Sequence, residues 1–340
     1  MNWKRSVLAF AGGALIFGAT VAPCPAVAAA DEPLLQQFQE QLNHEWFTLG
    51  ALLQFVGSSD FTEEGPRGFE IANLRVKLKG RFDSGYSYAF QLNLHKSSTL
   101  LDARMSYEFA DGHYLDMGAF KAPFSAEALT SSSAIDFVNR SVVVNMLAPG
   151  RQIGVGVRGS GSGGMTYAGG VFNGNGVTAN GNDDNEFQFV ARTALERSAG
   201  SAKIVAGANA SYEMMETAAR FRNDIESETI LGGDVRVEQD RFLVAGEYVF
   251  RMQELMTGST DPEAHGFHAT GGFMSSERTQ VLARFEGYTA NRDDTDMVYY
   301  VTGGFNVWPT SVTEFQVNVV FPTEGDFEDG QLLVNAQVAF

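Results

Sequence analysis

The sequence predicts an all-β fold, a transmembrane antiparallel β-barrel of about 16 strands. The first observation is the final segment, Gln331–Phe340, where apolar and polar residues alternate up to a terminal aromatic residue. The second is that alternating segments of about ten residues, the length that a tilted strand needs to cross a bilayer, recur along the chain. The third is that short and long connections alternate, as they do at the two rims of such a barrel.

Residues 1–30 have the pattern of a secretory signal peptide. Lys4 and Arg5 precede an uncharged stretch from Ser6 to Ala22, and small residues lead up to Ala30. We therefore expect cleavage near Ala30 and export through the periplasm. The alternative, an anchoring helix, needs about 20 apolar residues and no cleavage site. Cleavage removes Cys24, the chain's one cysteine, so no disulfide is expected.

Residues 31–45 form a lead-in to the barrel, which we place at residues 46–340. Leu34, Leu35, Phe38 and Leu42 have helical spacing, which predicts a short periplasmic helix. The alternative is a lead-in that packs against a neighbouring subunit. The predicted strands are Trp46–Phe55, Glu70–Phe82, Tyr86–His95, Leu101–Phe109, Tyr114–Phe120, Gln152–Gly159, Met165–Asn173, Glu186–Glu196, Ala202–Tyr212, Thr229–Glu238, Arg241–Met252, Gly266–Met274, Thr279–Tyr288, Met297–Trp308, Val312–Val320 and Gln331–Phe340.

The connection between the fifth and sixth strands, Lys121 to Arg151, is anomalously long. Connections of about thirty residues are usually functional or disordered. This one carries apolar residues that need burial, so we expect it to fold into the lumen and narrow it. A plain surface lid or a subunit contact is the alternative. The apolar residues are Phe124, Leu129, Ile135, Phe137, Val142–Val144, Met146 and Leu147.

Composition excludes several classes of function. The chain has 24 Lys and Arg residues against 41 Asp and Glu, a net charge of −17. This acidity argues against nucleic-acid binding and against docking on anionic membranes. No stretch after residue 30 is long enough for a membrane helix, so only a closed barrel would satisfy the backbone within lipid.

The run GAFKAPFSAEALTSSSAIDFVNRSVVVNMLAPGRQIGVGVRG, Gly118–Gly159, followed by Tyr167–Gly176, resembles the phosphate-selective porin O and P family. The resemblance implies a sixteen-stranded, homotrimeric channel of the Gram-negative outer membrane, with its third outer loop folded inward. It places the pore constriction on charged residues of this loop. These are Lys121, Glu127, Asp136, Arg140 and Arg151.

Alternation within each strand predicts which residues line the lumen, and a one-residue slip reverses the assignment. In the second strand Ala72, Leu74, Val76 and Leu78 are expected to face lipid. The expected basic lining is Arg75, Lys77, Lys79, Arg104, Arg158, Arg192, Arg236, Arg251 and Arg284. The expected acidic lining is Asp102, Glu108, Asp234, Glu238, Glu247 and Glu286. Two interpretations stay open here, a basic ladder that attracts anions and a mixed-charge wall that only keeps the pore wet.

The acidic surplus is predicted to lie mostly in the outer loops. There it would bind the divalent cations that bridge lipopolysaccharide, repel anions, or simply be solvated. The residues are Asp60, Glu63, Glu64, Asp183, Asp184, Glu213, Glu216, Asp224, Glu226, Asp261, Glu263, Asp293, Asp294, Glu324, Asp326, Glu328 and Asp329.

The expected function is a porin, a water-filled outer-membrane channel for passive diffusion of small ions and solutes, with anions such as phosphate as candidates. Its expected partners are those solutes, outer-membrane lipid, lipopolysaccharide and two further copies of the chain. Phe340 is the expected assembly signal, in an interfacial aromatic girdle. The alternatives are a non-conducting structural or adhesive barrel and, less favoured, a barrel hydrolase. His44, His95, His113, His265 and His268 show no catalytic or metal-binding spacing, so we expect no enzyme, cofactor or metal.

Overall fold

A computed structural model of the chain describes residues 40–43, 46–62, 64–82, 84–95, 99–182, 185–215, 225–255, 262–291 and 296–340. The predicted signal peptide, its cleavage site and most of the lead-in lie outside these residues. Two compact units divide at residue 41, and the second, Leu42–Phe340, contains the strands. Of the lead-in, Glu40, Gln41 and Leu42 are helical.

The second unit is a closed antiparallel barrel of sixteen strands, which confirms the predicted fold class. Each strand lies within four residues of its predicted start, and most run a few residues beyond their predicted ends. The strands are β1 (Phe47–Asp60), β2 (Arg67–Arg81), β3 (Tyr86–Asn93), β4 (Leu100–Ala110), β5 (His113–Lys121), β6 (Arg151–Ser160), β7 (Met165–Phe172), β8 (Gln188–Ala199), β9 (Ala202–Met214), β10 (Ile225–Gln239), β11 (Phe242–Leu255), β12 (Glu263–Ser276), β13 (Thr279–Thr289), β14 (Val298–Thr310), β15 (Thr313–Pro322) and β16 (Gln331–Ala339).

The first and last strands close the barrel. Leu52 pairs with Ala339 and Asp60 with Gln331, and the pairs between them stay in register. The terminal residue completes this seam, because the Phe340 amide donates to Ala51 O at 3.1 Å and the Ala51 amide donates to Phe340 O at 2.9 Å. Closure pairs the edge strands that an open sheet would leave exposed.

The two faces of the barrel wall are opposite in character to those of a soluble protein. Leu53, Phe55 and Val157 are among the large apolar side chains exposed on the outside. Gln316, Asn335 and their neighbours are buried within the lumen. Alternate residues of a strand point to opposite faces, so a strand with this pattern places hydrocarbon in the lipid and polar groups in the pore. In the described residues no helix is long and apolar enough to span a membrane.

The prediction for Ala72 was wrong. Gln54 pairs with Asn73 and Phe55 with Ile71, so Ala72 is an extra residue in β2. Such a β-bulge reverses the alternation beyond it. Ala72 therefore packs against the buried Leu333, on the lumen side of the wall.

Some of the acidic residues predicted in outer loops belong to strands instead. Asp60, Glu213, Glu226 and Glu263 lie within β1, β9, β10 and β12. These strands extend beyond the alternating cores that predicted them, and Glu213 is buried with Gln188 donating to it at 3.0 Å. Other members of the acidic set lie outside the described residues, namely Glu63, Asp183, Asp184, Glu216, Asp224, Asp261, Asp293 and Asp294.

Candidate pore constriction

The segment between β5 and β6, residues 122–150, lies inside the barrel, and we call it the inner loop. It contains two short helices, α1 (Ala126–Leu129) and α2 (Val142–Leu147). Its middle crosses the lumen to strands β10–β15, which we call the far wall. There Asn318 of β15 accepts the Val138 amide at 2.7 Å. Asn306 of β14 donates to Asp136 O at 2.8 Å. The far wall thus binds the loop backbone through amide side chains of the lumen.

An apolar cluster fixes the ends of the inner loop to the wall. Phe124, Val143 and Leu147 are buried together with residues of β5, β7, β8 and β10–β12. Two wall glycines make room for them. A Cβ at Gly232 would lie 3.2 Å from the Phe124 ring, and one at Gly266 would lie 2.9 Å from Val143 Cγ2. The glycines therefore allow the loop to approach the wall closely.

Two apolar residues of the inner loop are not buried, contrary to the prediction. Leu129 is 37% exposed and Met146 is 56% exposed. Leu129 is the last residue of α1 and Met146 the last but one of α2. Only one face of each short helix contacts the wall. The remaining face carries these two side chains.

The loop carboxylate Glu127 anchors the loop to the wall. It accepts the Ser141 amide at 3.0 Å and the Ser141 hydroxyl at 2.5 Å. Arg284 of β13 lies 3.6 Å from it and 3.0 Å from Glu286. Glu286 in turn accepts the Val142 amide at 2.7 Å, and Glu247 of β11 accepts the Glu127 amide at 3.3 Å. The four carboxylate and guanidinium side chains of this network hold α1 and the start of α2 against β11–β13.

The second loop carboxylate, Asp136, is also turned to the far wall. Arg236 of β10 donates to it from Nη1 at 2.8 Å, and the same guanidinium lies 2.8 Å from Glu238. Further along this wall Arg192 Nη2 donates to Asp234 at 2.8 Å. Arg251 lies 3.9 Å from Glu228. Most predicted basic groups of β8–β13 are therefore neutralised by acidic neighbours.

Four cationic side chains meet on the other side of the inner loop. Arg75, Lys121, Arg140 and Arg151 line one cavity of about 200 Å³, which we call the cationic constriction. Asp102 accepts from Arg151 Nε at 3.0 Å. It is also the carboxylate with which Arg75 and Lys121 interact electrostatically. Asp102 is thus the carboxylate nearest to Arg75, Lys121 and Arg151, whereas Arg140 interacts with Glu127.

Two of these cations also hold the carbonyl end of α1. Lys121 Nζ donates to Ala128 O at 2.5 Å, to Leu129 O at 3.1 Å and to Thr130 O at 2.9 Å. Arg140 donates to Glu127 O at 3.0 Å and to Thr130 O at 2.6 Å. Unpaired carbonyls at a helix C-terminus favour positive charge, so these two residues position the loop as well as charging it.

The Arg140 guanidinium stays positive although it is partly desolvated. Burial lowers the pKa of Arg140, the Glu127 carboxylate opposes this shift, and the Arg151 charge adds to it. Since an arginine does not lose its proton in a protein at physiological pH, its charge remains in the constriction.

The remaining predicted lining residues lie along the lumen below the constriction, towards the short turns. Lys77, Lys79 and Arg104 line a recess of about 390 Å³ on β1–β4. Asp116 of β5, which the alternation did not single out, lies 2.8 Å from Arg158 and 3.7 Å from Arg104. Glu108, near the end of β4, accepts the Gly112 amide of the following turn at 3.1 Å.

Several residues of the site were missed by the sequence argument. Ser125 is fully buried with φ of 64° and accepts the Ala128 amide at 3.0 Å. Asn209 of β9 accepts the Ser125 amide at 3.1 Å. The serine three residues before Ala128 was a capping signal that the sequence offered. No pattern linked it to an asparagine eighty-four residues away.

Comparisons with known proteins match one family model and several solved structures of outer-membrane proteins. The family model described as phosphate-selective porin O and P matches residues 56–241. The structure of the outer-membrane protein OmpT of Vibrio cholerae in its trimer form has a TM-score of 0.62 at 10% identity, covering 86% of this chain and 99% of that one. The structure of an anion-selective porin from Comamonas acidovorans has a TM-score of 0.61 at 12% identity, covering 86% of this chain and 99% of that one. The high-pH structure of Pseudomonas putida OprB has a TM-score of 0.64 at 10% identity, covering 91% and 97%. No curated protein matches the sequence.

Proposed function

The chain belongs to the phosphate-selective porin O and P family, and we propose that its channel passes small anions in preference to cations. As a member of that family it is a porin of the Gram-negative outer membrane. The proposal concerns which solutes the channel favours and which residues are responsible.

The observation that carries the proposal is the separation of charge by the inner loop. Of its two acidic residues named above, Glu127 lies 3.6 Å from the Arg284 guanidinium, and Asp136 accepts from the Arg236 guanidinium of the far wall. The cations Arg75, Lys121, Arg140 and Arg151 share the constriction on the near side. The sequence alone left open whether the pore lining is a basic ladder or a mixed-charge wall. This separation favours a basic ladder along β2–β6.

Elementary electrostatics gives the size of the effect. At an effective dielectric constant of about 20, one unit charge about 6 Å from a passing ion contributes about 3 kcal/mol. Each cation left without a carboxylate therefore attracts an anion and repels a cation by several times thermal energy. Salt reduces this contribution, but less so inside a narrow constriction than on an open surface.

The constriction selects by charge more than by recognition of phosphate geometry. All three donor positions of Lys121 already serve carbonyls of α1, and Arg140 donates to two carbonyls of the same turn. Donors in use within the protein are not free to form bidentate bonds with a phosphate. We therefore propose passage of chloride and phosphate alike.

The partners are proposals of the same kind. A homotrimer is supported by the trimer form of the Vibrio cholerae protein with the same fold. Lipopolysaccharide contact through divalent cations remains a prediction from the sequence, since no group of acidic or histidine side chains among the described residues is arranged to hold a metal ion. Removal of residues 1–30 and assembly guided by Phe340 remain predictions from the sequence.

We assign no catalytic activity to the barrel. His268 faces the lumen 3.9 Å from Glu127. His265 lies near the Tyr248 ring, at 6.1 Å. Three residues apart on one strand, the two histidines lie on opposite faces of the wall, so they do not form a joint site.

The test is the zero-current potential of the purified protein in a planar bilayer under a KCl gradient. An anion-favouring sign is expected, and added phosphate should carry current without blocking it. A cation-favouring sign would contradict the proposal. A protein that inserts but carries no current would support the non-conducting barrel instead.

A further inference from the structure

A second recess lies below the cationic constriction, against the inner wall of β4–β8. Its volume is about 510 Å³, and Arg104, Tyr114, Phe120, Pro123, Leu129 and Arg158 are among its lining residues. This volume falls within the roughly 300–1,000 Å³ of small-molecule pockets. Lys121 lines both this recess and the constriction, so the two are adjacent.

Two arginines of the recess wall carry one more positive charge than the carboxylate that they share. Arg158 Nε donates to Asp116 at 2.8 Å, and Arg104 lies 3.7 Å from the same carboxylate. Asp116 is buried and also accepts the Ser106 hydroxyl. Two guanidinium groups therefore share one carboxylate that is already hydrogen-bonded, which leaves donor capacity and one net charge for a monovalent anion.

Beside these guanidinium groups part of the recess lining is apolar. Leu129 of the inner loop is 37% exposed into it. Pro123 and Phe120, both largely buried, also line the recess. On the wall, the Arg158 guanidinium lies 4.0 Å from the centre of the Tyr114 ring, which orients it by a cation–π contact. A hydrocarbon surface and an oriented cation thus lie within one small recess.

We propose that this recess binds monovalent organic carboxylates that carry an apolar body, such as an aromatic monocarboxylate. The carboxylate contacts Arg104 and Arg158, and the ring packs against Leu129, Pro123 and Phe120. This inference rests on the proposed anion channel, because the carboxylate must first pass the cationic constriction. Inorganic anions gain nothing from Leu129, whereas an aromatic ring buries apolar surface on it.

Benzoate and acetate are the probes, since both are monocarboxylates and only benzoate has an apolar ring. Each is added to both sides of a bilayer that contains the purified protein, and the concentration that halves the KCl current is measured. Benzoate is expected to act at about a tenfold lower concentration than acetate, the ratio that partial burial of its ring gives. The zero-current potential in KCl alone is measured on the same channels.

Two variants of the inner loop test where this preference arises. Leu129→Ser is expected to bring the benzoate-to-acetate ratio close to unity. Met146→Ser is the matched control, because Met146 is an exposed apolar residue of the same loop that lies outside the recess, and it should keep the ratio. Arg158→Gln should weaken both carboxylates. Heat-modified electrophoretic mobility checks that each variant is folded, and Leu129→Ala replaces Leu129→Ser if the latter does not fold.

Equal half-blocking concentrations of benzoate and acetate on an anion-favouring channel would overturn the recess proposal and leave the anion channel standing. Equal losses of the ratio in Leu129→Ser and Met146→Ser would also overturn it. A retained ratio on a channel without anion preference would support the recess and contradict the proposed function.

Discussion

Lys121 shows how one side chain joins the architecture of the loop to the charge of the pore. It ends β5, and its ammonium group donates to three successive carbonyls at the end of α1. The sequence placed it at the start of the long connection, and the structure makes it the last residue of β5. Its carbonyl partners were not predictable, because they depend on a helix of four residues that the alternation pattern does not reveal.

Replacement of Lys121 by methionine is expected to loosen the loop. Hydrogen bonds to a charged group contribute about 1.5–3 kcal/mol, so Lys121→Met should lower the free energy of unfolding by about that amount. Open-channel current noise should rise, because no ammonium group then holds the carbonyl end of α1. Lys121→Arg should largely restore both. A quiet Lys121→Met channel that has only lost anion preference would make Lys121 a solute contact rather than a loop anchor.

At the scale of elements, the inner loop is a small folded body that is docked on the barrel. Its apolar residues predicted that it enters the lumen, and most of them are buried there. The prediction failed for Leu129 and Met146, because a short helix buries only one face. The sequence also did not predict that Gly232 and Gly266 make room for Phe124 and Val143. Each glycine lies more than one hundred residues along the chain from the side chain that it accommodates.

The docking of this body depends most on Phe124, which is fully buried. Truncation of a buried phenylalanine costs about 3–5 kcal/mol, so Phe124→Ala should release the loop while β1–β16 stay paired. The expected result is a larger and noisier single-channel conductance with unchanged heat-modifiable mobility. Met146→Ala is the control, because an exposed residue is worth within about 0.5 kcal/mol. An unchanged conductance in Phe124→Ala would mean that hydrogen bonds alone hold the loop.

The β-bulge at Ala72 marks the limit of alternation as a guide to single residues. C-terminal to the bulge, the phase predicted from the sequence agrees with the lumen contacts of Asn73 and Arg75. N-terminal to the bulge the phase reverses, because the extra residue moves each further side chain to the other face of the wall. Nothing in the local sequence of β2 signals this position.

At the scale of the whole molecule, the barrel is asymmetric across its lumen. The Glu127 and Asp136 carboxylates of the inner loop lie against β10–β13, whereas its Arg140 meets Arg75, Lys121 and Arg151 of β2, β5 and β6. The net charge of −17 therefore does not describe the constriction, since the acidic residues of the inner loop lie against arginines on the far wall. Composition predicted the membrane class, whereas the pore charge emerges only when strands far apart in sequence are brought together.

The measurement that tests this account most directly is the zero-current potential of two charge-neutralised variants in the same KCl gradient. Arg75→Gln removes a cation of the constriction. Lys203→Gln removes one that pairs with Glu196 at 3.2 Å on β8–β9, outside the constriction. We predict an anion-favouring potential for the unmodified protein, a clear shift towards cations in Arg75→Gln and a much smaller shift in Lys203→Gln. Equal shifts in the two variants, or a cation-favouring unmodified channel, would contradict the account.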